Sequence, residues 1–366
     1  MIKSDLPKSQ TRVVVAMSGG VDSSVVAAML HEEGYQVIGI TLQLYNHGEM
    51  THKKKACCAG QDIYDAKNVA NRLKIPHYVL DYESKFKQAV INDFIDSYVR
   101  GETPLPCVRC NQSVKFHDLL KMAKELGAHA LATGHYVRKL EGSNGAELHS
   151  GLDVQKDQSY FLFATTKQQL EFLHFPLGSY TKSQTRKLAE DFGLEISDKP
   201  DSQDICFVPE GNYRDVINKI RPEAASKGKI LHIDGFELGE HEGIINYTIG
   251  QRRKTGISFN EPLYVTKIDS ENKIVYLGPE SALESTSFII HGVNWLGDDV
   301  LDQTEVKVKI RSTRPSALAK ISRLENDQMM VKLLSPEKAV TPGQACVIYD
   351  NERMLGGGWI TRDIFN

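Results

Sequence analysis

Residues 13–34 read VVVAMSGGVDSSVVAAMLHEEG. Val13 to Met17 suit a short buried strand, and Ser24 to Glu33 suit a helix stopped by Gly34, since glycine takes the left-handed conformation past a helix end without steric cost. Between the two lie Ser18, Gly19, Gly20, Val21, Asp22, Ser23 and Ser24. Paired glycines let the backbone curl tightly enough to aim amides at an anion, and the helix amino terminus adds roughly half a positive charge. The stretch therefore reads as a phosphate-binding loop, with serine hydroxyls able to donate to phosphate oxygens and Asp22 suited to help hold the Mg²⁺ that accompanies a nucleotide. Plain glycine-rich turns look similar, and placement at the first strand-to-helix junction is what favours the phosphate reading. No GxxxxGK[ST] string occurs in the chain, and GxGxxG is absent at this junction.

Outward from the loop, the pattern alternates. Strands are expected at Val13 to Met17, Val37 to Leu44, Tyr78 to Asp81 and Ala128 to Thr133. Helices are expected at Ser24 to Glu33, Asp62 to Leu73, Phe86 to Arg100 and Gln112 to Leu126. This is how a parallel sheet with crossover helices reads, an α/β doubly wound domain. Thr181 with Gln184 makes a capping-box signature before Arg186 to Phe192. Past about Gly228 the texture changes to the β-rich runs ILHI, INYTI, LYVTKI, KIVYL, VKVKI, MMVKLL and ACVIYD, split by Gly, Pro, Asn and Asp. Two small barrel-like units suit that spacing. The expected division is 1–215 for the α/β catalytic domain, 216–282 for a central β-rich domain and 283–366 for a carboxyl-terminal β-barrel.

A length of 366 residues suits several domains at roughly 150 residues each. No apolar run approaches the roughly 20 residues of a membrane span, and the polar start MIKSDLPKSQTR lacks a secretory signal, so no membrane role and a cytoplasmic location are expected. Net charge is −3, so any RNA contact must be local. Candidates are Lys53 to Lys55, Arg252 to Lys254, and Lys307, Lys309, Arg311 and Arg314, each of which taken singly reads first as a solvated face.

Six cysteines (Cys57, Cys58, Cys107, Cys110, Cys206, Cys346) are too sparse for a disulfide scaffold. Cys346, inside ACVIYD, reads as a small buried apolar residue. Cys110 sits in TPLPCVRCNQSVKF, on a proline-stiffened loop entering a helix at about Asn111, beside Arg109 and near Lys115. That setting should favour its thiolate, which suits a nucleophile. Cys206 sits in the loop DKPDSQDICFVPEGNY.

The loop SGGVDSS resembles the pyrophosphatase loop of enzymes that cleave ATP between its α and β phosphates and adenylate an oxygen, a superfamily that includes GMP synthetase and the tRNA thiolases. Leu42, against the adenine, and Gly134, in ATGHY, resemble further nucleotide contacts, both at carboxyl ends of strands where open sheets bind ligands. The ordered strings SGGVDSS, CNQSVKF, ATGHY, KDQSYFL, DSQDICF, YTIGQRR and TPGQA span most of the chain and resemble the bacterial tRNA-specific 2-thiouridylase family.

That resemblance implies ATP-dependent adenylation of the C2 oxygen of uridine 34, at the wobble position of tRNAs with lysine, glutamate or glutamine anticodons. It implies sulfur arriving as a persulfide on Cys206 from a desulfurase or relay protein, and a Cys110–Cys206 disulfide after transfer. It carries RNA-contact roles to His135, Lys156, Asp157, Gln158, Arg311 and Gln344, in a chain expected to be monomeric. The sequence departs from the family in having Cys107 where many members have an aspartate, and Ser312 after Arg311 where a tyrosine is usual. Cys107, Cys110 and Cys206 together also suit an iron-sulfur cluster, and Cys57 with Cys58 a zinc site, while Cys107 reads equally as an inert packing residue. Two rival readings are an amide-forming ligase of the same superfamily and a non-catalytic RNA-binding protein that uses ATP as a ligand.

Overall fold

The computed structural model describes residues 2–45, 58–200, 205–208, 212–298 and 303–365. It divides into two compact units. One comprises Met1–Val90, Cys107–Phe207 and Glu352–Met354, and the other Ile91–Pro106, Val208–Asn351 and Leu355–Asn366.

The first unit is built on five parallel strands: β1 (Arg12–Ala16), β2 (Gln36–Gln43), β3 (His77–Asp81), β4 (Ala130–Ala132) and, after the hairpin β5 (Val137–Gly142) and β6 (Gly145–Ser150), β7 (Leu173–His174). Their order is β3-β2-β1-β4-β7. Val13, Val14 and Val15 are wholly buried because β1 is central, with Val13 paired to Val37 on one side and to Ala130 on the other. Burying each contributes about 1.5–3 kcal/mol of transfer free energy. Helix α1 (Val21–Glu32) and helix α2 (Cys58–Leu73) pack on the sheet through Val25, Val26, Ala66, Val69 and Ala70. The chain order turns back at β1, and a crevice at the carboxyl ends of β1 and β4 follows. The expected strands and helices of this region stand, with ends shifted by a few residues. The hairpin pairs β6 with Arg353 and Met354.

One helix begins earlier than its pattern suggests. The run 106–125 opens with Pro106–Arg109, widens to five-residue turns over Cys110–Leu119 and closes with Leu120–Glu125. Proline is well placed in a first turn, where its missing N–H has no partner to lose. Cys110 therefore lies one turn inside the helix rather than on a loop before it.

In the second unit, six strands close on themselves: β12 (Glu284–Trp295), β13 (Thr304–Lys309), β14 (Ala317–Arg323), β15 (Met329–Lys338), β16 (Ala345–Asp350) and β17 (Arg353–Phe365), with β12 pairing both β15 and β17. Closure removes the exposed edges that an open sheet would present. Phe288, Ile290, Val331, Cys346, Ile348 and Ile360 fill the barrel. A four-stranded sheet, β8 (Gly228–His232), β9 (Glu237–His241), β10 (Tyr264–Asp269) and β11 (Ile274–Gly278), is cored by Ile230, Val265, Val275 and Leu277. INYTI is not a strand. It forms a tight turn at Ile244–Asn246, and Tyr247 and Ile249 reach the same core without joining a ladder.

Candidate functional site

The loop after β1 is packed so tightly that its glycines have no substitute. Gly19 has φ +76°, and a Cβ there would lie 2.0 Å from the Asp62 carbonyl oxygen on α2. Gly134, just after β4, approaches from the other side, and a Cβ on it would lie 2.9 Å from Ser23 N. Helix α1 is capped by Gly20, with no side chain accepting from its first amides, so the positive end of the helix faces the crevice uncapped. The hydroxyls of Ser23 and Ser24 donate to the Gly20 carbonyl at 3.2 and 2.9 Å, and the Ser18 N–H donates to Ser23 Oγ at 3.1 Å. These hydroxyls hold the loop's shape, and Ser18 is exposed. Val21 is buried, and Leu42, near the carboxyl end of β2, is half-buried and pairs with Leu80.

Two lysines that the sequence reading missed organise the acidic groups around the loop. Lys182 Nζ donates to both oxygens of Asp22, at 2.8 and 2.9 Å, and the Tyr136 hydroxyl donates to Oδ1 at 2.7 Å. Lys199 Nζ donates to the Gly19 carbonyl at 2.9 Å and to Asp62 at 2.7 Å, with Asp65 also in reach. The charged form of Lys199 is favoured by its hydrogen bonds to Asp62 and Asp65 against the opposing, and largest, effect of burial. The one sequence clue to Lys182 was its place straight after Thr181, whose capping box with Gln184 does form.

The thiols gather in the same unit. Cys107, in the first helical turn, is exposed; Cys110 is 8% exposed; Cys206 is exposed. Burial raises the thiol of Cys110 first, then Lys115 lowers it and Cys107 raises it. Although Cys206 is open to solvent as a residue, its surroundings are dense: burial is the main cause raising its thiol to about 12, followed by the charges of Cys110 and Cys107. Cys107 is raised by burial and lowered by Lys115. The expectation of a favoured Cys110 thiolate is thus reversed in this resting arrangement, because Cys110 sits inside the helix, where burial outweighs Lys115. Asn111, next to it, donates from Nδ2 to the Phe161 carbonyl at 3.3 Å, while its buried Oδ1 has no hydrogen-bond partner among the described residues.

His135 shares a hydrogen bond of 2.8 Å with Thr133 Oγ1 and lies edge-on to Phe116 and Phe175. Burial, then Lys115, lowers its pKa to about 3, so its ring is neutral. Asp157 accepts from Gly151 N, Ser159 N and Ser159 Oγ, and Gln158 Oε1 accepts from Tyr136 N at 2.9 Å. Both tie down the turn that carries Lys156, which is half-buried. In the second unit Arg311 donates to Ala339 O and Thr341 Oγ1, and Gln344 Nε2 donates to Thr103 O at 3.0 Å. Those two side chains are engaged within their own unit.

Among the described residues no group of three or more His, Cys, Asp and Glu side chains is arranged to hold a metal ion. Cys57, the Cys58 side chain and Lys53 to Lys55 lie outside the described residues. No described helix is long and apolar enough to cross a membrane.

A parallel sheet with a glycine loop aimed into its switch point, followed by two β-rich folds, defines a nucleotide-loop enzyme with appended barrels. Family models agree part by part: a tRNA methyl transferase HUP domain matches residues 11–210, a tRNA methyl transferase PRC-barrel domain matches 214–279, and an aminomethyltransferase beta-barrel domain matches 285–360. The chain is 71% identical over 362 residues to tRNA-specific 2-thiouridylase MnmA of Rickettsia felis, covering 98% of this chain and 99% of that protein. It is also 71% identical over 362 residues to the protein of that name in Rickettsia canadensis, covering 98% of each, and 72% identical over 357 residues to that of Rickettsia bellii, covering 97% of each. The chain belongs to the tRNA-specific 2-thiouridylase MnmA family.

Proposed function

We propose that this chain is a tRNA-uridine 2-sulfurtransferase that binds ATP at the loop 18–24 and thiolates C2 of the wobble uridine, position 34. The observation that carries the reading is the gathering of Cys110 and Cys206, about a hundred residues apart in sequence, near enough that the charge of Cys110 bears on the Cys206 thiol, in the unit that holds the loop. The domain roles follow, with 1–215 catalytic, and 216–282 and 283–366 presenting the RNA.

The C2 oxygen of uridine is a poor leaving group. It attacks the α phosphorus of ATP, pyrophosphate departs, and the oxygen becomes part of AMP. Amides at the start of α1 offset the phosphate charge, and Lys182 and Lys199 bring two further cations to the loop. Mg²⁺ accompanying ATP would be held at Asp22. Sulfur reaches Cys206 as a persulfide from a desulfurase or relay protein, and its terminal sulfur adds to C2. The Cys110 thiolate then attacks Cys206 Sγ; the S–S bond breaks toward the base, AMP leaves, and C2 keeps the sulfur. Cys110 and Cys206 end as a disulfide, which a thiol reductant resets. The Cys110 and Cys206 thiols, both raised chiefly by burial of their surroundings, are held neutral in the resting protein. His135, neutral and hydrogen-bonded, suits a base edge in a splayed loop, and Lys156 a backbone phosphate. A cytoplasmic monomer acting on lysine, glutamate and glutamine tRNAs completes the proposal.

The test is nucleoside mass spectrometry of unmodified tRNA incubated with ATP, a persulfide donor and protein. 2-Thiouridine with equimolar AMP is expected, and none with Cys110→Ala or Cys206→Ser. Normal turnover by either variant overturns the relay.

A further inference from the structure

The proposed cycle leaves the protein oxidised, with one sulfur of the disulfide on a residue only 8% exposed. A third thiol stands beside it that the cycle does not use. Cys107 is exposed, and it lies three residues before Cys110 in one continuous helical run. Residues three apart on a helix share a face, with Cβ atoms about 5–6 Å apart, and a modest adjustment brings such a pair to disulfide geometry. Burial raises both thiols and Lys115 opposes it in each, so one cation acts on the pair.

We propose that Cys107 is the resolving thiol of this site, and the proposal rests on the thiolation reading above. Its thiolate attacks Cys110 Sγ in the Cys110–Cys206 disulfide. A Cys107–Cys110 bond forms, the Cys110–Cys206 bond breaks, and the electron pair leaves on Cys206, which takes a proton. Cys206 is thereby free for the next persulfide while oxidation is still stored on the helix. An external dithiol supplies the two electrons by attacking the exposed Cys107 sulfur, giving an oxidised dithiol and the reduced pair. The neighbouring placement makes the exchange intramolecular, which favours it over direct attack by a reductant in solution.

The sequence supplies a clean readout, because trypsin cuts after Arg109 and separates Cys107, on peptide 101–109, from Cys110, on peptide 110–115. Wild-type protein is loaded with persulfide, given ATP and unmodified tRNA for one turnover without reductant, blocked with N-ethylmaleimide and digested. The expected product is peptide 101–109 linked to 110–115. Cys107→Ser and Cys107→Ala are expected to keep the first-turnover yield of 2-thiouridine, to accumulate peptide 110–115 linked to the Cys206 peptide, and to turn over with dithiol at least about tenfold more slowly. Wild-type steady-state rates in both variants overturn the proposal. So does loss of the first turnover in both, which would place Cys107 in the transfer step itself. First-turnover product from Cys110→Ser would instead overturn the parent reading, and that result is separable because it does not involve Cys107.

Discussion

Gly19→Ala tests the packing of the nucleotide loop most directly. The added Cβ would sit 2.0 Å from the Asp62 carbonyl oxygen, whereas real Cβ atoms keep at least 3.0 Å from such an atom, so the loop or α2 must yield by about 1 Å. The backbone there has φ +76°, which costs a residue with a Cβ about 1–2 kcal/mol, and forced overpacking adds about 1–3 kcal/mol. A total of about 2–5 kcal/mol corresponds to a fall in melting temperature of about 4–20 °C. A loop displaced by about 1 Å loses about a hundredfold in phosphate chemistry. Gly20→Ala is the control: φ is −92°, and the nearest atom to its Cβ is Ser18 Oγ at 3.6 Å, so stability is expected within about 0.5 kcal/mol of wild type. Melting followed by circular dichroism and tRNA-dependent pyrophosphate release measure both effects. If Gly19→Ala melted with wild type and released pyrophosphate normally, the loop would not be braced against α2, and the account of its rigidity would fail.

Lys182→Met removes both of that lysine's contacts to Asp22 and leaves the carboxylate with the Tyr136 hydroxyl. ATP use is expected to fall at least about tenfold, read as pyrophosphate release against ATP concentration, with Lys182→Arg partly restoring it. Gly134→Ala drives a Cβ to 2.9 Å from Ser23 N, and a loss in both melting temperature and pyrophosphate release is expected, smaller than for Gly19→Ala because φ there is ordinary. His135 carries a pKa of about 3 in the folded protein against an ordinary 6.5, so between those values the unfolded chain binds more protons. Stability from this group therefore falls as pH drops from about 6.5 toward 3, and urea unfolding at pH 5 and pH 7 should show a smaller difference in His135→Asn than in wild type.

Much of the fold was legible locally. Val13 to Met17, the glycine pair and the α1 pattern announce a strand, a tight turn and a helix because backbone sterics and apolar periodicity act over a few residues. The same holds for the Thr181 capping box and for buried Cys346. INYTI misled because a buried β-rich run has the same local composition whether it joins a ladder or, between Gly243 and Gly250, turns and packs by side chains alone. The helix start at Pro106 was missed because proline marks both loop and first turn.

Sequence alone determined the tight glycine turn between the first strand and its helix and which thiols stand near breakers, since those depend on neighbours along the chain. Only the tertiary structure decided that Lys182 and Lys199, 160 and 180 residues from their partners, close on Asp22 and the Gly19 carbonyl. It alone brought Cys206 to Cys107 and Cys110 and set their protonation, because burial and Coulombic coupling depend on distance through space, which the order of residues does not encode.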